Sequence, residues 1–117
     1  MKASIIAVPP GGGETDHVID VEIDNLPSEG DYLVFNCIDV HEDKIDEADK
    51  VGCQHCYLVR RKWWHSKYDV NRDADLDLLH IEAEVADGRA NCPVHERNLE
   101  MYRNRGKEPV AFEATAF

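Results

Sequence analysis

The side chains best suited to chemistry form two pairs, Cys53 with Cys56 and Cys92 with His95, separated by 35 residues. Each pair has the two-residue gap of a zinc knuckle, and three thiols with one imidazole make a tetrahedral zinc ligand set. We therefore predict that these four residues bind one Zn²⁺. Because four protein ligands leave no position for a reactive water, the ion is expected to be structural. His55, inside the first pair, could compete as a ligand but is expected to face solvent.

The residues between the two pairs predict a β-hairpin. Residues 57–65 are rich in aromatic and β-branched types, and residues 78–85 alternate apolar and polar side chains. An antiparallel pair of strands brings its open ends together, so both ligand pairs should emerge at the same end. Cross-strand ion pairs are expected on the outer face from Arg60, Lys62, Glu82 and Glu84. In that register Trp63 faces the core, and so does Arg61.

A helix is predicted directly after Cys92. Pro93 suits a first helical turn, Asn91 is a candidate cap, and Gly106 can end the helix. The second ligand pair would then lie at the N-terminus of this helix.

A knuckle, a β-hairpin and a helix that carries the last two ligands resemble the treble-clef zinc fingers. The resemblance covers residues 52–106 and rests on Cys53, Cys56, Cys92 and His95. Zinc ribbons are similar but lack the helix. The expected fold class is α+β, a small and mostly antiparallel β domain with a zinc knuckle–hairpin–knuckle–helix unit.

The N-terminal half predicts three further strands, at residues 3–8, 18–24 and 32–38. Apolar and acidic residues alternate over 18–24, which indicates a half-buried strand with an acidic outer face. The order strand, Leu-Pro-x-x-Gly-Asp, strand resembles the opening of small phage and bacterial β-barrel domains. Cys37 is expected to be a small buried hydrophobic residue.

The 117 residues have the length of a single domain. We divide it into an acidic β part (1–50), a zinc-stapled hairpin and helix (51–106), and a tail or edge strand (107–117). The net charge of −11 is concentrated in residues 1–49, which contain thirteen Asp or Glu and two Lys. An acidic half repels nucleic-acid phosphates and attracts a basic protein surface.

The sequence therefore favours a non-enzymatic, zinc-stabilised interaction module of phage or bacterial type. It would bind or inhibit a basic partner protein, such as one that binds nucleic acid. The candidate interaction residues are Asp20, Glu22, Asp24, Glu42, Asp43, Asp46 and Glu47. Solubility alone also explains such a charge, so a purely solubilising role stays open.

The sequence contains no apolar run long enough to span a membrane. The longest N-terminal run, residues 4–10, is also too short for the core of a signal peptide. We therefore expect a cytoplasmic protein without a membrane partner. In that reducing compartment, four cysteines indicate metal ligands or free thiols more than disulfides.

Two alternative functions remain open. Direct nucleic-acid binding would use cations and a stacking ring from Arg60, Arg61, Lys62, Trp64 and Lys67. A nuclease is the second alternative, because treble-clef hairpins also underlie HNH-type nucleases, and His65 lies near a strand end before an Asp-rich loop. In this chain, however, His95 is assigned to zinc, and no further histidine follows it in the sequence.

Overall fold

The computed structural model describes residues 1–36, 54–67 and 75–112. These residues form five strands and one helix: β1 (Lys2–Val8), β2 (His17–Glu22), β3 (Tyr32–Asn36), β4 (Gln54–Lys67), β5 (Asp75–Ala86) and α1 (Pro93–Asn104). Cys37, Cys53 and the acidic run 39–50 lie outside the described residues, as does the Asp-rich loop up to residue 74.

The five strands form one curled sheet in the order β2-β1-β5-β4-β3. β1 pairs with β5 in parallel, and the other three pairings are antiparallel. The prediction of an α+β domain built on a mostly antiparallel zinc-knuckle unit is therefore wrong. The described chain is mostly β, with a mixed half-barrel sheet and a single helix. Alternation along a strand identifies its buried face but does not identify its neighbour, so the parallel pairing was not predicted.

The core lies on the concave side of this sheet, under the helix. Ala3, Ile5 and Ala7 alternate inward along β1, and Leu79, Ile81, Ala83 and Val85 do the same along β5. α1 buries His95, Leu99 and Tyr102, which recur every three or four residues on one helical face. Ile19 and Val21 of β2 are partly buried against the same core, as the alternation predicts, whereas Val18 is exposed.

A β-bulge in β4 changes the predicted hairpin register. Val59 is paired with Ala83, whereas the next paired residue is Arg61, so Arg60 is an extra residue without a cross-strand mate. One inserted residue moves every later side chain to the opposite face. The prediction that Trp63 and Arg61 face the core is therefore wrong, because the bulge turns both toward the outer face.

The extra residue of the bulge forms the main ion-pair network of the sheet. Arg60 Nε lies 3.2 Å from Glu82 Oε2, and Arg60 Nη1 lies 2.8 Å from Glu84 Oε2. The predicted pairs of Arg60 are thus confirmed. Lys62, in contrast, donates from Nζ to the carbonyl oxygen of Pro27 at 2.8 Å, because the bulge turns it away from the two glutamates.

Residues 110–112 close the base of the hairpin, and residues 113–117 of the predicted tail lie outside the described chain. Asp87 N–H donates to Val110 O at 2.8 Å, and Phe112 N–H donates to Asp87 O at 2.7 Å. The Phe112 ring packs on Tyr32 of β3 at a centroid distance of 4.5 Å. Among the described residues, no helix has the length and apolar character needed to cross a membrane.

Candidate functional site

The N-terminus of α1 is built by the residues of the second predicted ligand pair. Cys92 is the N-cap in an extended conformation (φ −71°, ψ 160°), and Pro93 follows in the first turn. The thiol of Cys92 accepts the backbone N–H of His95 at 3.3 Å, as a capping side chain does. The cap is thus one residue later than the predicted Asn91.

Backbone hydrogen bonds join this helix start to the beginning of β4. Gln54 N–H donates to Ala90 O at 2.6 Å, and Cys92 N–H donates to Gln54 O at 2.9 Å. The backbone N of Cys56 lies 3.4 Å from His95 Nε2. The hairpin therefore brings the two halves of the predicted site together at one end, where Cys56, Cys92 and His95 are each at most 1% exposed.

His55 is part of this cluster, and the prediction that it faces solvent is wrong. It is 4% exposed, its Nε2 lies 2.9 Å from Cys92 Sγ, and its ring centroid lies 4.9 Å from that of His95. β4 begins at Gln54, so His55 already alternates with the strand and points to the same side as Tyr57. Cys56, the residue between them, points to the opposite side.

Burial shifts the pKa of two donors in the cluster, His95 and Cys56. Burial lowers the pKa of His95, so its imidazole is neutral, and its Nε2–H donates to Ala86 O at 2.8 Å. Burial, reinforced by the negative charge of Asp87, raises the pKa of the Cys56 thiol to about 11. A metal ion that bound here would displace the thiol protons, because the thiolate is the ligand form.

No group of three or more His, Cys, Asp or Glu side chains within 1–36, 54–67 and 75–112 has the arrangement of a metal site. Cys53, the remaining predicted ligand, lies outside these residues. The described structure thus places Cys56, Cys92 and His95 in one buried cluster and adds His55 to it.

Gly88 supports this cluster from the hairpin end, and its replacement tests the packing there. A Cβ atom at this position would lie 2.8 Å from the Cβ of Cys56 and 2.8 Å from Asn91 Oδ1. We expect Gly88→Ala to lower the free energy of unfolding by about 1–3 kcal/mol, the usual cost of overpacking. Urea unfolding of the two proteins measures this loss. An unchanged midpoint would mean that Cys56 and Asn91 are not held as tightly as their contacts indicate.

An open cavity of about 540 Å³ lies beside the cluster, between α1 and the start of β2. Its walls include Asp16, His17, His55 and His95. His17 Nδ1 lies 3.0 Å from Asp16 Oδ2, and His17 Nε2 lies 2.7 Å from the hydroxyl of Tyr57. The sequence analysis missed His17, because a lone histidine at a strand start has no spacing signal that separates it from a surface residue.

The acidic residues predicted to bind a partner divide between described and undescribed parts of the chain. Asp20 and Glu22 are exposed on the outer face of β2, and Asp24 is exposed just beyond it. Asp20 Oδ1 accepts a hydrogen bond from Ser4 Oγ at 2.9 Å, and Glu22 lies 3.2 Å from the N-terminal amine. The other four, Glu42, Asp43, Asp46 and Glu47, lie outside the described residues.

The cationic strand of the nucleic-acid alternative is partly neutralised. Arg60 is held by Glu82 and Glu84, and Arg61 Nη2 lies 3.1 Å from Glu82 Oε1 although its side chain is 69% exposed. Trp64 is exposed, and the side chain of Lys67 is outside the described part.

His65, the candidate residue of the nuclease alternative, contacts another histidine across the hairpin. Its ring centroid lies 5.2 Å from that of His80, which in turn stacks on Trp63 at 5.4 Å. The Asp-rich loop would supply carboxylates to the nuclease alternative. Its residues 68–74 lie outside the described part of the chain.

Comparisons with protein-family models, curated proteins and solved structures gave no match to this chain.

Proposed function

We propose that this chain is a non-enzymatic protein-interaction module, stabilised by a structural Zn²⁺ and directed at a basic partner protein. The observation that carries the interaction is the position of Asp20 and Glu22, exposed side by side on the outer face of an edge strand. An edge strand is the part of a sheet most open to a second protein.

The proposed zinc ligands are Cys53, Cys56, Cys92 and His95. The support is the chemistry of the buried donors: the Cys92 thiol and the His95 imidazole lie with His55 at the helix N-terminus, and the backbone N of Cys56 lies 3.4 Å from His95 Nε2. Cys92 Sγ has two nitrogen neighbours, His55 Nε2 at 2.9 Å and His95 N at 3.3 Å. When bound, the ion would join helix to hairpin and supply folding energy without a reactive water.

The electrostatic argument concerns the sign of the surface. The outer face near Asp20, Glu22 and Asp24 contains Lys2 and the N-terminal amine as its neighbouring cations, so carboxylates outnumber cations there. Complementary charge speeds encounter and selects partners more than it adds affinity. A basic nucleic-acid-binding protein presents the matching surface. The carboxylates of this chain would occupy the positions of the nucleic-acid phosphates on that surface and so inhibit the partner.

The test is a pull-down from the native host with nuclease-treated lysate, followed by measurement of the dissociation constant of the captured protein. We expect Asp20→Asn/Glu22→Gln to weaken binding about tenfold, since each exposed ion pair contributes about 0.2–1 kcal/mol. Binding should also weaken as salt is raised. Glu14→Gln/Glu100→Gln, which removes the same charge from exposed positions elsewhere, is the control and should leave affinity nearly unchanged.

Three outcomes contradict the proposal. A complex that is insensitive to salt has no electrostatic basis. Equal weakening by both double variants would mean that only net charge matters. Capture that disappears after nuclease treatment would favour nucleic-acid binding through the β4 cations instead.

A further inference from the structure

The two edges of the curled sheet, β2 and β3, face each other across an apolar groove of about 440 Å³. Buried Ile5 and Ile81 form its floor, Val21 belongs to the β2 wall, and Leu33 and Phe35 belong to the β3 wall. Within residues 1–36, 54–67 and 75–112, no strand lies between these two edges, and the segment that joins β2 to β3 also lines the groove.

Among the described strands, β2 is paired on one side only, so its outward backbone groups bond to no other described strand. Met1 and Ile23 exchange both of their backbone hydrogen bonds, at 3.1 and 2.8 Å. Because bonded and non-bonded pairs alternate in an antiparallel ladder, the register of β1 and β2 directs the N–H and C=O groups of Val18, Asp20 and Glu22 away from β1. These are the groups to which an added strand would bond.

The charge around the groove indicates the kind of strand that would fit. Glu22 and Asp31 are among its lining residues, and the lining itself includes no lysine or arginine among the described residues. Two cations lie next to it: the N-terminal amine, 3.2 Å from Glu22, and Lys62 Nζ, which donates to the carbonyl oxygen of Pro27. Asp20 extends the carboxylate row along the outer face of β2. A second copy of this chain is a poor occupant, because β2 paired with β2 would set Asp20 and Glu22 against carboxylates, and like charges opposite each other destabilise a sheet.

We infer that the groove binds an extended segment of a basic protein, which adds to β2 as a sixth strand. The inference rests on the proposed function and specifies the segment of the partner that binds. In that segment, apolar side chains alternate with lysine or arginine. Alternate side chains of a strand point to opposite faces. The apolar ones would enter the groove beside Ile19 and Val21, and the basic ones would lie beside Asp20 and Glu22. Backbone bonds supply affinity in such complexes, and the alternating pockets supply specificity.

The probe is a fluorescent peptide of about ten residues that alternates valine and lysine, a typical strand length. Its affinity for the full chain is compared, by fluorescence anisotropy, with two peptides of the same composition. One has a scrambled order in which lysines are clustered, and the other has N-methyl groups on alternate amides, so that one edge cannot donate hydrogen bonds. We expect the alternating peptide to bind at least about tenfold more tightly than either. The N-methylated peptide loses a few hydrogen bonds of about 1 kcal/mol each, and the scrambled peptide cannot place its apolar side chains on one face.

A protein variant tests the same edge from the other side. Val18→Pro removes one outward N–H, and proline is tolerated on an edge strand where its nitrogen faces solvent. We expect it to weaken the alternating peptide by about fivefold, whereas Val18→Ala, which keeps the N–H, should leave binding nearly unchanged. Circular dichroism melts of both variants verify that they fold, and the N-methyl comparison uses the unaltered chain in any case.

The outcomes separate this inference from the proposed function. Equal, salt-sensitive binding of alternating, scrambled and N-methylated peptides would overturn strand addition and leave a purely electrostatic surface in place. Absence of binding by every basic peptide would overturn the inference, whereas the proposed function is decided by capture of the native partner. Self-association of the chain that Val18→Pro abolishes would assign the groove to a second copy and also overturn it.

Discussion

Cys92→Ser is expected to lower the free energy of unfolding by about 4 kcal/mol in zinc-containing buffer and to change it little in the presence of a chelator. A ligand that binds only the folded state adds about 4 kcal/mol when its free concentration is about 1,000 times its dissociation constant. For a domain of this length such a loss lowers the melting temperature by more than about 10 °C.

The choice of serine separates the metal from the helix cap. Cys92 caps α1 through its sulfur, and serine is one of the preferred N-cap residues, so the hydroxyl can accept the same His95 N–H. The substitution therefore keeps the cap and removes the sulfur atom that would bind the ion. If the site bound no metal, the variant would be close to neutral under both conditions.

The measurements are zinc content by mass spectrometry and thermal unfolding with and without chelator. We expect one zinc per chain in the unaltered protein and a loss of it in the variant. Cys37→Ser is the control, since Cys37 belongs to neither ligand pair, and it should retain the zinc. The proposed metal centre would be refuted if the purified protein contained no zinc and its melting temperature were the same with and without chelator.

Local sequence signals were sufficient for the hairpin and the helix. Pro93 and the thiol of Cys92 define the start of α1, and the alternation over residues 78–85 defines β5. Antiparallel pairing of adjacent strands then forces Cys56 and Cys92 to the same end. These features are determined by residues that are close together in the sequence, so residue types and their spacing are enough to predict them.

The bulge and the parallel pairing depend on information that a single strand does not contain. A regular register would put the charged Arg61 on the apolar face. This unfavourable position is the sequence feature that indicates a bulge. It does not reveal whether Arg60 or a neighbour is the extra residue. The pairing of β1 with β5 joins residues about 75 positions apart, such as Ile5 with Ile81, and hydrophobic alternation is equally satisfied by other neighbours.

The position of His55 shows a different cause of error. The first ligand pair was expected to lie in a turn before the strand, whereas β4 already begins at Gln54. Gln54 and His55, the two residues between Cys53 and Cys56, are therefore part of the strand. Their side chains alternate in direction, and that of His55 points inward against Cys92. Boundaries of elements are set by tertiary hydrogen bonds, here those of Gln54 to the α1 start, and not by the motif itself.

Tyr57→Ala is expected to be the most destabilising single change in the core, at about 3–5 kcal/mol, the range for truncation of a large buried ring. Tyr57 is completely buried at the meeting point of β2, β3 and α1. Its ring lies 5.6 Å from His17, 5.8 Å from Phe35 and 5.8 Å from His95, centroid to centroid. Its removal would leave a cavity that three separate elements line.

Tyr57→Phe resolves this loss into ring packing and hydrogen bonding. His17 Nδ1 lies 3.0 Å from Asp16 Oδ2, and His17 Nε2 lies 2.7 Å from the Tyr57 hydroxyl, whose pKa is raised by burial so that it keeps its proton. Loss of this bond should cost about 1 kcal/mol, because His17 is partly open to water and can rehydrate. Urea unfolding of both variants, with Tyr32→Ala as a half-exposed aromatic control, measures the difference. The contacts of the ring predict that packing supplies at least two-thirds of the stabilisation by Tyr57, about 2 kcal/mol or more. Equal losses of stability in the phenylalanine and alanine variants would instead assign this stabilisation to the hydroxyl.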